Sequence, residues 1–181
     1  MRAEPDTLTR YRQHRWLGLC LVLALAVGFL LWGALPPAAD PAEGRPPAAD
    51  PAKNAGVLIL ATQSGRFPLT VEVADTPSAR QQGLQGRRGL AENAGMLFDF
   101  GTPQPVAMWM LNTYIPLDML FLDDAGRVVA IARNTVPLSL DRIGIDDPVR
   151  AVLEVQAGVA DRLKVRAGDR VCHPIYPRNA C

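Results

Sequence analysis

The two acidic side chains set most deeply in apolar sequence are Asp118, in P-L-D-M-L-F-L, and Glu154, in A-V-L-E-V. Two carboxyl groups in one cleft can share acid and base roles in glycoside hydrolysis, or bind a hard cation through oxygen. The alternative is structural: Asp118 accepts hydrogen bonds from backbone N–H groups near Pro116, and Glu154 pairs with an arginine such as Arg87. The sequence leaves both interpretations open and favours the structural one.

Polar residues also interrupt the apolar stretch at residues 106–122, which reads V-A-M-W-M-L-N-T-Y-I-P-L-D-M-L-F-L. Pro116 has no backbone N–H, so a strand ladder must stop there, and Asn112, Thr113 and Asp118 become partners for the backbone or for a ligand. We predict that these three side chains converge at one edge of the fold. The predicted ligand-binding set is Arg87, Trp109, Asn112, Thr113, Asp118 and Glu154.

Trp109 stands between Met108 and Met110, and the three could form a stacking surface or part of the core. Their alternating context favours the core. We therefore expect Trp109 in the floor beneath the polar cluster.

Histidine and cysteine restrict the possible chemistry. The chain has only His14 and His173, which argues against a Ser-His-Asp triad and against a His-rich zinc site. Cys172 and His173 are adjacent, and neighbouring side chains on a strand point to opposite faces, so a thiol–imidazole pair is disfavoured. Cys172 and Cys181 either form a disulfide in an oxidising compartment or remain two unpaired thiols. We expect no metal and no cofactor, and the balance leans against an enzyme.

Composition indicates one domain with an appendage, since the chain has 181 residues of which 49% are hydrophobic. The formal net charge is +1. Four arginines and two acidic residues precede residue 16, which leaves 15 basic and 16 acidic residues, or 15 − 16 = −1, for the remainder. A near-neutral domain argues against a nucleic-acid partner.

The N-terminal third divides into segments of different character. Residues 16–35 form an uncharged run whose 20 residues match the ~30 Å hydrocarbon layer as a transmembrane helix. Basic residues precede this run, so residues 1–15 are expected in the cytoplasm of a bacterium and the remainder outside the inner membrane. A cleaved signal, giving a periplasmic or secreted protein, is the alternative. Residues 36–55 form a Pro/Ala-rich linker, residues 56–177 the globular domain and residues 178–181 a tail.

The globular region shows many short strand patterns separated by turns, and two short helices. Thr76 before Pro77 predicts a helix start, with Gly83 or Gly86 as its end, and residues 157–165 predict a second helix. Residues 138–148 read as a polar loop. This pattern predicts a mainly β domain, an antiparallel sandwich or barrel. The predicted strands are residues 57–62, 66–74, 96–100, a segment around Trp109, 118–122, 128–135 and 149–155.

Several motifs together resemble the domain of unknown function 192 family. They are R-Q-Q-G-L at 80–84, G-M-L-F at 95–98, W-M and N-T at 109–113, I-P-L-D at 115–118, and L-E with A-G at 153–158. The resemblance covers residues 69–171 and implies a compact β domain, often exported in bacteria, without an established activity. Gln85 and Leu111 stand where the family usually has methionine and lysine. If that lysine serves an anionic ligand, this chain has lost the contact.

Three functions fit these observations. The first is a membrane-tethered module of the cell envelope that binds a small ligand or an envelope protein. The second is a hydrolase of envelope carbohydrate that uses Asp118 and Glu154, which requires both carboxyl groups in one cleft. The third is an assembly module that presents a sheet edge to a partner.

Overall fold

A single curled sheet of seven strands forms the body of the domain in the computed structural model, which describes residues 55–176. The strand order is β5-β4-β6-β3-β2-β1-β7, and every neighbouring pair is antiparallel except β2 with β3. The elements are β1 Ala55–Thr62, β2 Gly65–Ala74, α1 Pro77–Gln82, β3 Ala94–Met108, β4 Leu117–Leu122, β5 Val128–Ala132, β6 Ile143–Gln156, α2 Val159–Arg162 and β7 Arg170–Cys172.

The two edges of the sheet meet at the start of β5 and β7. The Val128 N–H donates to the Asp169 carbonyl at 2.8 Å, and the Gly168 N–H donates to the Val128 carbonyl at 2.8 Å. Arg127 and Arg170 form an isolated antiparallel bridge beside them. These contacts join the two edge strands near one end, so the single sheet curls into a half-barrel and does not form two stacked sheets. The predicted mainly β class with two short helices is confirmed.

Each face of the central strands is covered by its own hydrophobic core. Along β4, Leu120 and Leu122 belong to the first core, whereas Met119 and Phe121 belong to the second. This alternation follows from the two-residue period of a strand. All six residues of β4 are buried, which explains why its sequence is an almost unbroken apolar run.

The helix α1 begins and ends where the sequence predicts. The Thr76 side chain accepts a hydrogen bond from the Ala79 N–H at 3.1 Å, Pro77 is the first helical residue, and Gly83 is the C-cap with a φ of 47°. A left-handed φ is easily adopted by glycine. The N-cap, proline and glycine signals are therefore sufficient to define this helix.

Two long strands differ from the predictions. β3 continues from Ala94 through two register shifts to Met108. The strand predicted around Trp109 is therefore present only up to Met108 and does not include Trp109 itself. β6 begins at Ile143, inside the predicted polar loop. Antiparallel pairing of β3 with β6 extends both strands beyond their apolar segments, because cross-strand hydrogen bonds satisfy the backbone there.

Within residues 55–176, no helix has the length and apolar character needed to cross a membrane. The predicted membrane segment at residues 16–35 and the tail at residues 178–181 lie outside the described residues. So does the predicted linker at residues 36–55 except for its last residue, Ala55, which begins β1.

Candidate functional site

A pocket of about 360 Å³ opens at the margin of the second core, where α1, the end of β3 and the loop after β3 meet over β6. Apolar and aromatic side chains form most of its wall, and amide groups line its rim. Its lining consists of residues 80–85 from α1 and the following turn, Phe98, Phe100, Ala107 and Met108 from β3, Trp109, Leu111 and Thr113 from the loop, and Glu154 from β6.

Glu154 is the ionisable group that β6 projects into this pocket. It is directly opposite Met96 of β3 and Met119 of β4, so an apolar thioether flanks it on each side. The residue is 4% exposed, and its carboxyl group has no protein hydrogen-bond or ion-pair partner within residues 55–176. Its oxygens keep a small exposure to the pocket, because the fully buried side-chain oxygen without a partner in these residues is Tyr176 Oη. Burial raises the pKa of Glu154 to about 8. The group is therefore mainly protonated and neutral at pH 7.

Arg80 of α1 is held in the pocket wall by its own contacts. Its Nη1 donates to the carbonyl oxygens of Asp75 and Asp99, both at 2.7 Å, and its guanidinium carbon lies 5.4 Å from the centre of the Phe100 ring. These contacts fix α1 against β3. A Cβ at Gly83 would lie 3.0 Å from the Phe98 ring, so glycine here lets the helix approach that wall.

Asn112 and Thr113 connect the loop after β3 to the turn after α1. The Asn112 side-chain amide donates to Gln85 Oε1 at 3.3 Å, and the Asn112 carbonyl accepts from the Gly86 N–H at 2.9 Å. The buried Thr113 hydroxyl donates to the Leu111 carbonyl at 3.2 Å. Thr113 lines the pocket, whereas Asn112 stabilises its rim.

Asp118 lies on the other face of the sheet from Glu154. Asp118 is opposite Val155, whose side chain belongs to the first core, whereas Glu154 is opposite Met119 of the second core. Asp118 Oδ1 accepts from the Asn134 N–H at 2.8 Å, and Oδ2 accepts from the Ala160 N–H in α2 at 2.9 Å. The two carboxyl groups do not share a cleft, and the predicted convergence of Asp118 with the other polar residues is wrong.

Arg87 also has a partner other than the predicted one. Its guanidinium forms two hydrogen bonds with the Glu72 carboxylate, both at 2.6 Å. The predicted Arg87–Glu154 pair is therefore wrong. Trp109, predicted in the floor, is 53% exposed at the rim, and Met110 is the buried member of that segment.

Cys172 and His173 lie in and just after β7, away from this pocket. Cys172 is part of a disulfide. Cys181 lies outside the described residues, so its pairing with Cys172 stays a prediction. No cluster of three or more metal-ligating His, Cys, Asp or Glu side chains occurs in residues 55–176.

The DUF192 family model, described as "Uncharacterized ACR", matches residues 59–173. This chain belongs to the DUF192 family. One similar crystal structure is that of a "putative transcription regulator" from Sinorhizobium meliloti 1021. Its sequence is 48% identical to this chain, and the TM-score is 0.65. The match covers 67% of this chain and 95% of that one. A protein of unknown function from Novosphingobium aromaticivorans DSM 12444 is 35% identical, also with a TM-score of 0.65, covering 73% and 96%. No curated protein matches this chain.

One of the DUF192 motifs marks pocket residues that are absent from the predicted ligand-binding set. All five residues of the segment R-Q-Q-G-L at 80–84 line the pocket, yet its polar residues lie on an exposed helix and resemble ordinary surface residues in sequence. Phe98 and Phe100 were missed because strand aromatics usually belong to the core. Of the predicted ligand-binding residues, Trp109, Thr113 and Glu154 line the pocket.

Proposed function

We propose that this protein binds a small, mostly apolar ligand in the Glu154 pocket, and that it does so as a membrane-tethered protein of the bacterial cell envelope. Ligand pockets in proteins are concave and mainly apolar, with a few polar groups that fix the orientation of the ligand. The pocket has this composition, with aromatic walls, one buried carboxyl group and amides at its rim.

The unpartnered Glu154 carboxyl is the observation that supports binding. A buried polar group without a hydrogen-bond partner costs free energy of folding, and such groups in native structures call for an explanation. The carboxyl of Asp118, by contrast, has two backbone donors and a structural role. A ligand that hydrogen-bonds Glu154 would supply a partner that the protein itself does not provide within residues 55–176.

The protonation state of Glu154 indicates the chemistry of the ligand. A neutral carboxyl donates one hydrogen bond and accepts others, so it complements a carbonyl or amide group in an otherwise apolar molecule. The flat side chains of Phe98, Phe100 and Trp109 suit a ring or an extended hydrocarbon. Because the carboxylate cannot donate, affinity for such a ligand falls as the pH rises through the pKa of about 8.

A second, more open cavity of about 390 Å³ lies between β2 and α2. Glu92 and Arg162 at its rim form an ion pair at 3.2 Å. Both side chains are largely exposed, so this cavity offers no buried polar group to orient a ligand. The carbohydrate-hydrolase alternative also lacks support, because its two carboxyl groups face opposite sides of the sheet.

The tether is inferred from residues 16–35, whose length and apolar character suit one membrane span preceded by basic residues. The Pro/Ala-rich linker after it would separate the domain from the bilayer. The domain would then lie in the periplasm, where small amphiphilic molecules are accessible to it.

A thermal-shift screen of the full-length protein in nanodiscs tests the binding proposal, since a ligand specific for the native state raises the melting temperature. The compounds are neutral, ring-bearing or aliphatic amides and ketones. We expect a hit to raise the melting temperature of the wild type but not that of Glu154→Leu. Glu92→Gln, at the other cavity, serves as the control and should respond like the wild type. An equal response of Glu154→Leu to the same compound would overturn the assignment of this pocket.

A further inference from the structure

Two neighbouring loops carry most of the exposed large apolar side chains of the domain. Residues 55–176 contain seven such side chains, and six of them lie in residues 109–114 and 136–140. The seventh is Val57 of β1. Such a concentration of exposed apolar side chains on a protein surface marks an interaction site. We call these six residues the apolar rim: Trp109, Leu111, Tyr114, Val136, Leu138 and Leu140.

The backbone holds the two loops together as one platform. The Met110 N–H donates to the Ser139 carbonyl at 3.0 Å, and the Leu138 N–H donates to the Thr113 carbonyl at 3.1 Å. Leu138 has a left-handed φ of 63°, which is unfavourable for a leucine. Strained residues persist where the surrounding structure enforces them, and they concentrate at functional sites. The fold therefore holds Leu138 in this conformation and keeps the two loops side by side.

We infer that the apolar rim docks on the outer surface of the bilayer that anchors the chain, an inference that rests on the proposed tether. Tryptophan and tyrosine favour the membrane–water interface, and leucine and valine favour the acyl chains just below it. Arg88 lies 5.0 Å from the centre of the Tyr114 ring, where its charge would meet lipid phosphates at the margin of the rim.

The linker permits this contact. Residues 36–54 would reach about 60 Å if extended at ~3.1 Å per residue, whereas a domain of this size has a radius of gyration of about 14 Å. The domain can therefore turn any face towards the membrane. The tether also keeps the local concentration of bilayer high, so even a shallow apolar contact is favoured.

Docking at the rim has a consequence for the pocket. Trp109 and Leu111 belong both to the rim and to the pocket lining. The mouth of the pocket therefore opens at the bilayer surface in the docked state. An apolar ligand would pass between the acyl chains and Glu154 without crossing water.

Fluorescence quenching of Trp109 tests the docking. The chain has three tryptophans, so full-length protein with Trp16→Phe and Trp32→Phe retains Trp109 alone. This protein is placed in nanodiscs whose lipids carry bromine on the acyl chains. We expect loss of most Trp109 emission relative to unbrominated nanodiscs, and we expect the loss to persist in high salt, which screens exposed charges but not apolar insertion.

Two further variants make the test specific. Leu138→Asp combined with Leu140→Asp should restore the emission, whereas Val57→Asp, an exposed apolar residue outside the rim, should leave it quenched. Unquenched Trp109 in a protein that enters nanodiscs would overturn the docking. Failure to enter nanodiscs at all would overturn the tether on which it rests, and ligand binding through Glu154 is measured separately in the thermal-shift screen.

Discussion

At the residue scale, Asp118 and Glu154 illustrate how environment assigns different roles to similar side chains. Asp118 receives two backbone N–H groups, one from Asn134 and one from the first turn of α2, where such donors lack helical partners. Glu154 has only apolar neighbours on β3 and β4. The first carboxyl group is held by protein donors, whereas the second has no protein partner within residues 55–176, which supports its proposed role in ligand binding.

Asp118→Asn should lower the free energy of unfolding by roughly 1 to 3 kcal/mol, because the amide nitrogen would replace one acceptor and face a buried N–H donor. Urea unfolding measures the loss. Asp146→Asn, at an exposed position, is the matched control and should be close to neutral. An unchanged urea midpoint for Asp118→Asn would contradict the structural role of this carboxyl group.

Glu154 should make stability depend on pH. Its folded-state pKa of about 8 lies above the ordinary value of 4.5, so between these values the folded state binds more protons than the unfolded state. The free energy of unfolding is therefore highest, as far as this group is concerned, below pH 4.5, and it falls as the pH rises towards 8. The slope approaches about 1.4 kcal/mol per pH unit, which is the free energy equivalent to a shift of one pKa unit.

Glu154→Gln removes this titration and should gain stability relative to the wild type as the pH is raised from 5 to 8. Urea unfolding of both proteins at several pH values gives the difference directly. Other titrating groups contribute equally to both proteins and cancel, including His173, whose pKa is lowered by burial. Parallel pH profiles for the two proteins would show that Glu154 is ionised in the folded state.

At the element scale, the pairing of β3 with β6 positions the pocket. Gly95 allows the close approach of these strands, since a Cβ there would lie 2.7 Å from the Glu154 carbonyl oxygen and 3.2 Å from a Val155 methyl group. The obstructing atom is backbone, so relief requires movement of a strand. The same pairing fixes the position of the Glu154 side chain.

Gly95→Ala should therefore destabilise the domain by about 1 to 3 kcal/mol, the usual cost of overpacking. Thermal or urea unfolding would measure this loss. Gly89→Ala provides a matched control, because a Cβ at Gly89 meets no atom within 4 Å. Equal stability of the two variants would show that β3 and β6 separate without cost, contrary to the packing described above.

At the scale of the whole molecule, the two faces of the half-barrel carry different features, and the proposed binding pocket lies on one of them. The first core, with α2 and β7, lies on one face of the central strands. The second core, with the pocket at its margin, lies on the other. The apolar rim adjoins the pocket mouth, so ligand binding and membrane docking would use one side of the domain.

The predicted topology is tested in intact spheroplasts. Protease added outside should digest the domain, because residues 1–15 are expected in the cytoplasm and the chain after residue 35 outside. A cytoplasmic protein in the same sample should remain intact. Protection of the domain would contradict this topology, and a soluble protein with a new N-terminus near Ala38 would favour the cleaved-signal alternative.

The sequence alone determined the features that depend on near neighbours. The N-cap Thr76, Pro77 and Gly83 define α1 through local backbone preferences, and the apolar alternation at residues 66–74 identifies β2. The family motifs identified DUF192. Only the tertiary structure decided which residues share the site. Asp118 and Glu154 resemble each other in sequence, but strand register places them on opposite faces. The register depends on contacts between strands far apart in the chain, which local patterns do not encode.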